Sequence, residues 1–580
     1  MLISSASADH WLQIQGGIIV VHIGLTTRAP ELVDQYRLAG AWRAETLAKQ
    51  WQRVADAHPD REAVVAPDGR LSYADLSLAS DRIAVGLLDQ GLVPGDRVIV
   101  QSANSVGTVS AWYGLLKAGL VPVCTLPAHR HHEIEAIARR AGAAAHLVQE
   151  QPRFDVHKFA EEMAAAVPTL RVRLTLGASR DTAGTRIEDL AGTGDPQAAR
   201  ARVESIQAAQ NPDDIAVLQL SGGTTGTPKL IPRLHHEYWY NAARYAKVLG
   251  WDVDARVAHL LPVIHNAGIV CGLHAPHSVG ATAILLPPDP KVVLPAVAKE
   301  HVTDLIAGTP MAALSVPLLE RGEYLKRVIL SGSKPPEGMF EAFEAAGVWA
   351  GQLYGMAEGL FTVTPLDAPR AARRHSVGVP ISELDDVVIL APGTETELPD
   401  GEVGELCVRG PYTITGYFDV RPEPEAAETI AHNARAFTSD GFYRTGDLGM
   451  VCFEEGYRCF SIEGRLKDVI DRGGEKISVD ELESLLMGYP KVAEVSVVAM
   501  PDPRLGERGC AFIVPVPGAM PNLLDLQEYL AGRGVAKFKW PERVELVEAL
   551  PRTPVGKIDK KAMRASITTR LEAETHAATG

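Results

Sequence analysis

Cysteine is scarce and unpatterned. The six thiols, at Cys124, Cys271, Cys407, Cys452, Cys459 and Cys510, form no C-x-x-C pair and no spacing typical of a disulfide framework or a zinc site. A reducing cytoplasm fits that usage. Long apolar runs are also missing: the stretch from Gly16 to Gly24 falls far short of the roughly 20 residues of a spanning helix. No basic segment precedes it, so neither a signal peptide nor a membrane anchor is supported. Positive charge is in deficit, with 57 Lys and Arg against 72 Asp and Glu, a formal charge of −15. No long Lys/Arg run offsets it, so nucleic acid and anionic membrane are poor partners and a small molecule is the better one. Internal repeats and low-complexity segments are absent as well.

What remains is ordinary globular composition, 46% apolar and 22% charged over 580 residues. At about 150 residues per domain this length holds three or four compact units. Residues 1–35 lack clear periodicity and read as an extension without an assigned role. From Trp42 to about Gln149, amphipathic helical patterns (Asp75 to Gln90, Ser105 to Gly119, His132 to Gly142) alternate with short apolar strands (Ala63 to Val65, Arg97 to Gln101, Val121 to Cys124). A second α/β stretch from about Asp214 to Gly378 carries apolar runs at Ile215 to Leu220, Ala281 to Leu286, Asp304 to Ala307 and Arg327 to Ser331, for which parallel sheet is expected. Between Val379 and Ile462 short β-like runs broken by Gly and Pro predict a β-rich subdomain. Beyond a boundary at Gly464 to Asp468, a small α+β unit is expected. The predicted architecture is therefore α/β: a large N-terminal domain over 36–463 and a small, mobile C-terminal domain over 464–580.

One segment carries the most chemistry. Ser221, Gly222, Gly223, Thr224, Thr225, Gly226, Thr227, Pro228 and Lys229 directly follow the apolar run Ile215 to Leu220. Three glycines free the backbone to turn its N–H groups toward an anion, and the hydroxyls and the Lys229 ammonium add donors, so the expected guest is phosphate. The spacing is not that of a Walker A loop, because Lys229 follows Pro228 rather than Gly.

Here the chain resembles the adenylate-forming superfamily of acyl- and aryl-CoA synthetases, nonribosomal adenylation domains and luciferases. The likeness spans about Trp42 to Ile567. It is carried in order by Tyr354-Gly355-Met356-Ala357-Glu358, Tyr443-Arg444-Thr445-Gly446-Asp447, Gly464-Arg465-Leu466-Lys467-Asp468, Arg472-Gly473-Gly474-Glu475-Lys476 and Pro554-Val555-Gly556-Lys557. The resemblance implies ATP and Mg2+ as cofactors, with Glu358 and Thr225 on the metal. It implies that Tyr354 stacks on adenine, backed by Gly332 and Ser333, and that Asp447 and Arg465 hold the ribose. Catalysis falls to Lys557, His265 and Glu358: carboxylate attack on the α-phosphorus brings two anions together, and Lys557 would neutralise that repulsion. Rotation of the C-terminal domain between two half-reactions would occur about Lys467.

Tyr36 to Trp42, Leu126 to Ile134 and Tyr354 to Gly359 look like the 2,3-dihydroxybenzoate and salicylate AMP ligases of siderophore pathways. In amino-acid-activating relatives an Asp stands at the Asn266 position to hold the α-ammonium; a neutral amide can instead bond an ortho hydroxyl or ring nitrogen. Cys271 stands where that family tends to place Ser for dihydroxybenzoate and Cys for salicylate. Ala267 replaces a usual aromatic and should widen the pocket. His265, Asn266, Ala267, Cys271 and Gly332 are thus the expected acid-binding residues. The expected activity is ATP-dependent conversion of a salicylate-like 2-hydroxyaryl acid to aryl-AMP and pyrophosphate, followed by transfer to the phosphopantetheine thiol of an aryl carrier protein or CoA. The alternative is an acyl-CoA ligase for a different carboxylic acid.

Overall fold

The computed structural model describes residues 10–15, 18–23, 28–151, 154–177, 184–221, 228–308, 315–332, 335, 337–472, 475–502, 504–533, 535, 537–553 and 557–579. The molecule is mixed α/β, built on two large, mainly parallel sheets. The seven-stranded sheet runs, edge to edge, Leu230–Leu234, Ile215–Leu220, Val121–Thr125, Arg97–Gln101, Ala145–Gln149, Val172–Leu176 and Thr185–Arg186. The nine-stranded sheet runs Val379–Pro380, Phe361–Val363, Trp349–Gly355, Arg327–Ser331, Asp304–Gly308, Arg256–His259, Thr282–Leu285, Glu62–Ala66 and Gly69–Ser72. Helices Val106–Lys117 and His235–Val248 touch strands of both sheets. Their buried faces, with Trp112, Tyr113, Tyr238 and Tyr245, join Val98 and Leu147 of one sheet to Val257, Ala283 and Ile306 of the other in a single core. Continuous burial on both faces explains why these strands are plain apolar runs rather than alternating ones.

The two sequence-contiguous α/β stretches do not correspond to the two sheets. Glu62–Ala66 from the first stretch pairs in parallel with Thr282–Leu285 of the second, and Ile215–Leu220 from the second pairs in parallel with Val121–Thr125 of the first. Parallel neighbours must be reached by crossover connections, so local alternation marks a strand without naming its partner. Antiparallel pairs stand at one end of each sheet, at Ile215–Leu220 with Leu230–Leu234 and at Trp349–Gly355 with Phe361–Val363, whereas the opposite edge of the seven-stranded sheet, Thr185–Arg186, is parallel to Val172–Leu176.

A four-stranded antiparallel sheet follows, Asp386–Leu390, Gly404–Arg409, Tyr443–Glu454 and Tyr457–Arg465. Within its last hairpin Cys452 and Cys459 are register partners, their Sγ atoms 3.3 Å apart. All strands of the final sheet come from Val469 onward: Val469–Arg472, Glu475–Ser478, Val492–Asp502, Gly506–Pro515 and Arg543–Leu546, with helices Val479–Met487, Leu523–Gly532 and Lys560–Thr579. Near the N-terminus, His10–Gln15 and Ile18–Ile23 pair as a hairpin. The helix Pro30–Leu38 then leads to Trp42, whose indole N–H donates to the Pro411 carbonyl at 2.9 Å. Among the described residues no helix is long and apolar enough to cross a membrane.

Imidazoles are unusually common in the core. Burial lowers the pKa of His146, His259 and His277 to about 4 and that of His235 to about 3. Each stays neutral where an unfolded chain's histidine already takes a proton, so between about pH 6.5 and 4 the unfolded state binds more protons. Stability is therefore held above that window and lost as pH falls through it. Scanning calorimetry should show the unfolding midpoint dropping from pH 6.5 to 4, with a shallower slope for His277→Gln; an unchanged slope would contradict a neutral buried imidazole at that position.

Candidate functional site

Parallel strands end together, and polar groups collect in the crevice beyond their carboxyl ends. Here Ile215–Leu220 leads into Ser221, Arg256–His259 toward His265, Arg327–Ser331 into Gly332, and Trp349–Gly355 into Glu358. Gly332 is exposed with φ +94°, a conformation suited to glycine. The base of the loop from 221 to 229 is closed by two hydrogen bonds, Ser221 N–H to the Lys229 carbonyl and Lys229 N–H to Ser221 Oγ, both 3.0 Å. Gly222, Gly223, Thr224, Thr225 and Gly226, and likewise Ser333, lie outside the described residues.

Two clusters of charge are fully defined. In the first, Tyr354 donates its hydroxyl to Asp447 Oδ2 at 2.6 Å, while Arg465 Nε lies 3.2 Å from Asp447 Oδ1. Asp447 and Arg465 are cross-strand partners, so the hairpin itself brings them together. In the second, Glu358 Oε1 accepts the Tyr417 hydroxyl at 3.0 Å, and that hydroxyl is 2.8 Å from Tyr443 Oη. The Lys229 ammonium lies 4.7 Å over the Tyr417 ring and 2.7 Å from His432 Nε2. Burial pushes the Glu358 carboxyl pKa up, opposed by the Tyr417 hydrogen bond and the nearby Lys229 and Arg233 cations. A hard oxygen donor in such a place suits a divalent cation.

The backbone at Glu358 is clamped. Its carbonyl accepts from Ile414 N–H at 2.9 Å, Ala357 O accepts from Arg233 Nη1 at 2.6 Å, and Arg233 is paired with buried Glu237 at 2.6 Å. The following Gly359 has φ +127°, and a Cβ there would stand 2.0 Å from the Tyr412 carbonyl oxygen.

The remaining residues fall around the start of one helix. His265 opens onto the cleft, and its Nδ1 accepts from Ala267 N–H at 3.3 Å. Surrounding protein, with a smaller contribution from the Lys557 cation, lowers its pKa to about 4. Buried Asn266 accepts the Tyr238 hydroxyl on Oδ1 at 2.9 Å, and Tyr238 Oη in turn accepts from Gln219 Nε2 at 3.0 Å. From Gly268 to His274 the helix is π-wound. Cys271 is fully buried, and its thiol pKa is raised by that burial and eased by Tyr245. Ala267 is half-buried. Lys467 sits in the turn Leu466–Asp468 between the last two sheets, and the adjacent Asp468 is bound by Arg564 at 2.5 Å.

Tyr417, His432, Tyr238 and Gln219 were not visible as site residues in the sequence. No motif contains them; only strand Ile215–Leu220, which carries Gln219, hinted at its place. His129, which heads the histidine-rich stretch 129–132, bonds locally, its Nδ1 accepting from Leu126 N–H at 3.2 Å, and His131 Nε2 meets Glu162 at 2.6 Å.

Residues 51–418 match the model of the AMP-binding enzyme family, and residues 481–557 that of the AMP-binding enzyme C-terminal domain. The chain is 40% identical to pyochelin synthase PchD of Pseudomonas aeruginosa, over 93% of this chain and 96% of that protein. It is 39% identical to a salicylyl-CoA synthase / salicylate adenylyltransferase of a Streptomyces species, over 92% and 96%. The apo structure of MbtA from Mycobacterium smegmatis is 35% identical, with a TM-score of 0.68 and coverage of 93% and 98%.

Gly359→Ala should drive the Tyr412 to Ile414 segment off Glu358. A loss of about 2–4 kcal/mol in urea unfolding is expected, since an L-residue is strained at that φ and meets backbone; a change below about 0.5 kcal/mol would refute the clamp.

Proposed function

The chain belongs to the AMP-binding enzyme family, and from that footing we propose that it adenylates a salicylate-like 2-hydroxyaryl acid and passes the acyl group to a thiol. In the first half-reaction a carboxylate oxygen of the acid attacks the α-phosphorus of ATP; the bond to the β-phosphate oxygen breaks, and aryl-AMP and pyrophosphate result. In the second, a phosphopantetheine thiol of an aryl carrier protein, or of CoA, attacks the carbonyl carbon and AMP leaves. The setting is the cytoplasm. The likeness to proteins named for salicylate adenylation and pyochelin synthesis supports the choice of acid.

Lys229 and the glycine-rich loop grip the triphosphate. Asp447 and Arg465 take the ribose hydroxyls, while Tyr354, already tethered to Asp447, offers its ring to adenine. Glu358 and Thr225 would hold magnesium, which would supply charge neutralisation at the phosphate oxygens. Lys557 neutralises the approach of carboxylate to α-phosphate. His265 stays an uncharged imidazole at neutral pH and so presents a dipole rather than a competing cation. The C-terminal domain of residues 464–580 turns about Lys467 between the half-reactions, exchanging Lys557 for the thiol.

The observation that carries the acid class is the Asn266 amide. Its oxygen is committed to Tyr238, which leaves its N–H donors for the guest. They suit a hydroxyl or carboxylate oxygen of an aryl acid, and the neutral group cannot pair with an α-ammonium. A panel of acids assayed by ATP–pyrophosphate exchange should therefore favour salicylate over benzoate, and Asn266→Asp should lose salicylate by at least about a hundredfold. Equal rates with benzoate and salicylate would discard the 2-hydroxy requirement.

Lys557→Ala separates the half-reactions. Exchange should fall by about 10²–10³-fold, as for other lost oxyanion donors, while thioester formation from supplied salicyl-AMP stays within about threefold. Equal loss in both assays would count against the assignment.

A further inference from the structure

We propose that His432 is a positioning residue for the nucleotide, its neutral ring packed against the Lys229 ammonium and holding it in place. The inference rests on the reading that Lys229 serves the triphosphate. Its geometry is independent of that reading. Lys229 Nζ lies 2.7 Å from His432 Nε2 and 3.2 Å from Nδ1, and 4.7 Å over the ring of Tyr417, which His432 meets edge-on at 5.0 Å between centroids.

His432 is not a chance neighbour on a loose surface. It occupies the last turn of helix Ala427–Asn433, and the next residue, Asn433, brackets the backbone of Tyr417. Its Oδ1 accepts from Tyr417 N–H at 2.8 Å, and its Nδ2 donates to the Tyr417 carbonyl at 3.0 Å. The same helix is tied down by Thr429 Oγ1, which donates to Asp419 Oδ2 at 2.8 Å. One short helix therefore fixes the ring beneath the lysine through Asn433 and approaches the ammonium through His432.

The chemistry explains why an imidazole suits this place better than a carboxylate. A carboxylate would orient the lysine but cancel its charge and compete with the phosphate for it. A neutral imidazole meets the ammonium through both ring nitrogens at 2.7 and 3.2 Å and leaves the positive charge intact. Burial, and then the lysine itself, keep His432 unprotonated, with a pKa of about 4. Glu358, on the hydroxyl side of Tyr417, thus faces the same guest from the opposite end of one phenol.

The test is Mg2+-ATP binding by titration calorimetry, which needs no acid substrate, together with exchange kinetics in whichever acid the wild type accepts. His432→Ala should weaken Mg2+-ATP about tenfold and raise the KM for ATP by a like factor, with kcat and the KM for the acid within twofold. His432→Gln, which keeps a neutral polar side chain against the ammonium, should remain within about threefold of wild type and guards against a variant that fails to fold. In a Lys229→Ala background His432→Ala should add nothing, because the effect acts through the lysine. Unchanged ATP affinity in His432→Ala, a Gln variant as weak as Ala, or a full further loss in the Lys229→Ala background would each overturn the proposal. A wild type that binds ATP but exchanges with no aryl acid would instead remove the acid assignment and leave this result readable.

Discussion

A cation and an anion that must both meet one guest have to be kept close without neutralising each other. Tyr417 solves this with a single side chain. Its ring carries the Lys229 ammonium on one face, and its hydroxyl is donated to Glu358 and shared with Tyr443. A phenol is suited to the role because its face attracts a cation while its O–H serves an anion. Burial prevents its own ionisation, since its pKa is raised far above the usual phenol value. The site's electrostatics therefore depend on the segment bearing Tyr417 staying in register with the strand ends. Asn433 on one side, and the grip of Ile414 N–H on the Glu358 carbonyl on the other, maintain that register.

The same economy of charge recurs around the cleft. His432 is neutral beside Lys229, its pKa lowered first by burial and then by the adjacent cation. A cationic imidazole there would add positive charge that the protein could not relax once no anion was bound. Arg465 and Asp447, which do pair, lie across a hairpin with the guanidinium half-exposed and the carboxylate buried. Strong, buried pairing is reserved for structure: Arg233 with Glu237 secures the backbone at Ala357 and Tyr412, next to the site rather than in it.

Much of the fold was legible because burial on both faces leaves a plain signature. The strands Arg97–Gln101, Ile215–Leu220, Arg327–Ser331 and Gly404–Arg409 begin and end where the apolar runs do. What local pattern could not convey was partnership, so two contiguous α/β stretches proved to exchange strands between sheets. The candidate site shows the same division. Glu358 in a turn, Tyr354 and Arg465 at strand ends and Asp447 within a strand all belong to motifs and could be picked out singly. Tyr417, His432, Tyr238 and Gln219 could not, because their value lies in long-range hydrogen bonds, and a histidine in an alanine-rich helix reads as a surface residue. Asn266 is an intermediate case: its type was informative in the sequence, but the direction of its amide was not, and that is set by Tyr238 and Gln219.

On the proposed reading, that direction makes the pocket strict in one respect and lenient in others. A buried amide whose N–H donors lose their acceptor is left unsatisfied, and sites of this kind reject a guest lacking the matching oxygen by large factors. Around the rest of the ring the walls are weaker judges. Cys271 is buried as an un-ionised thiol beside Tyr245, a poor hydrogen-bonding partner for a second hydroxyl. Ala267 leaves room where a ring could stand, and an apolar wall separates guests differing by a methylene by only about 1–3 kcal/mol. Selectivity should therefore reside in the carboxylate and its ortho hydroxyl, with size tolerated at the far edge of the ring, because only the former is read by groups that cannot find another partner.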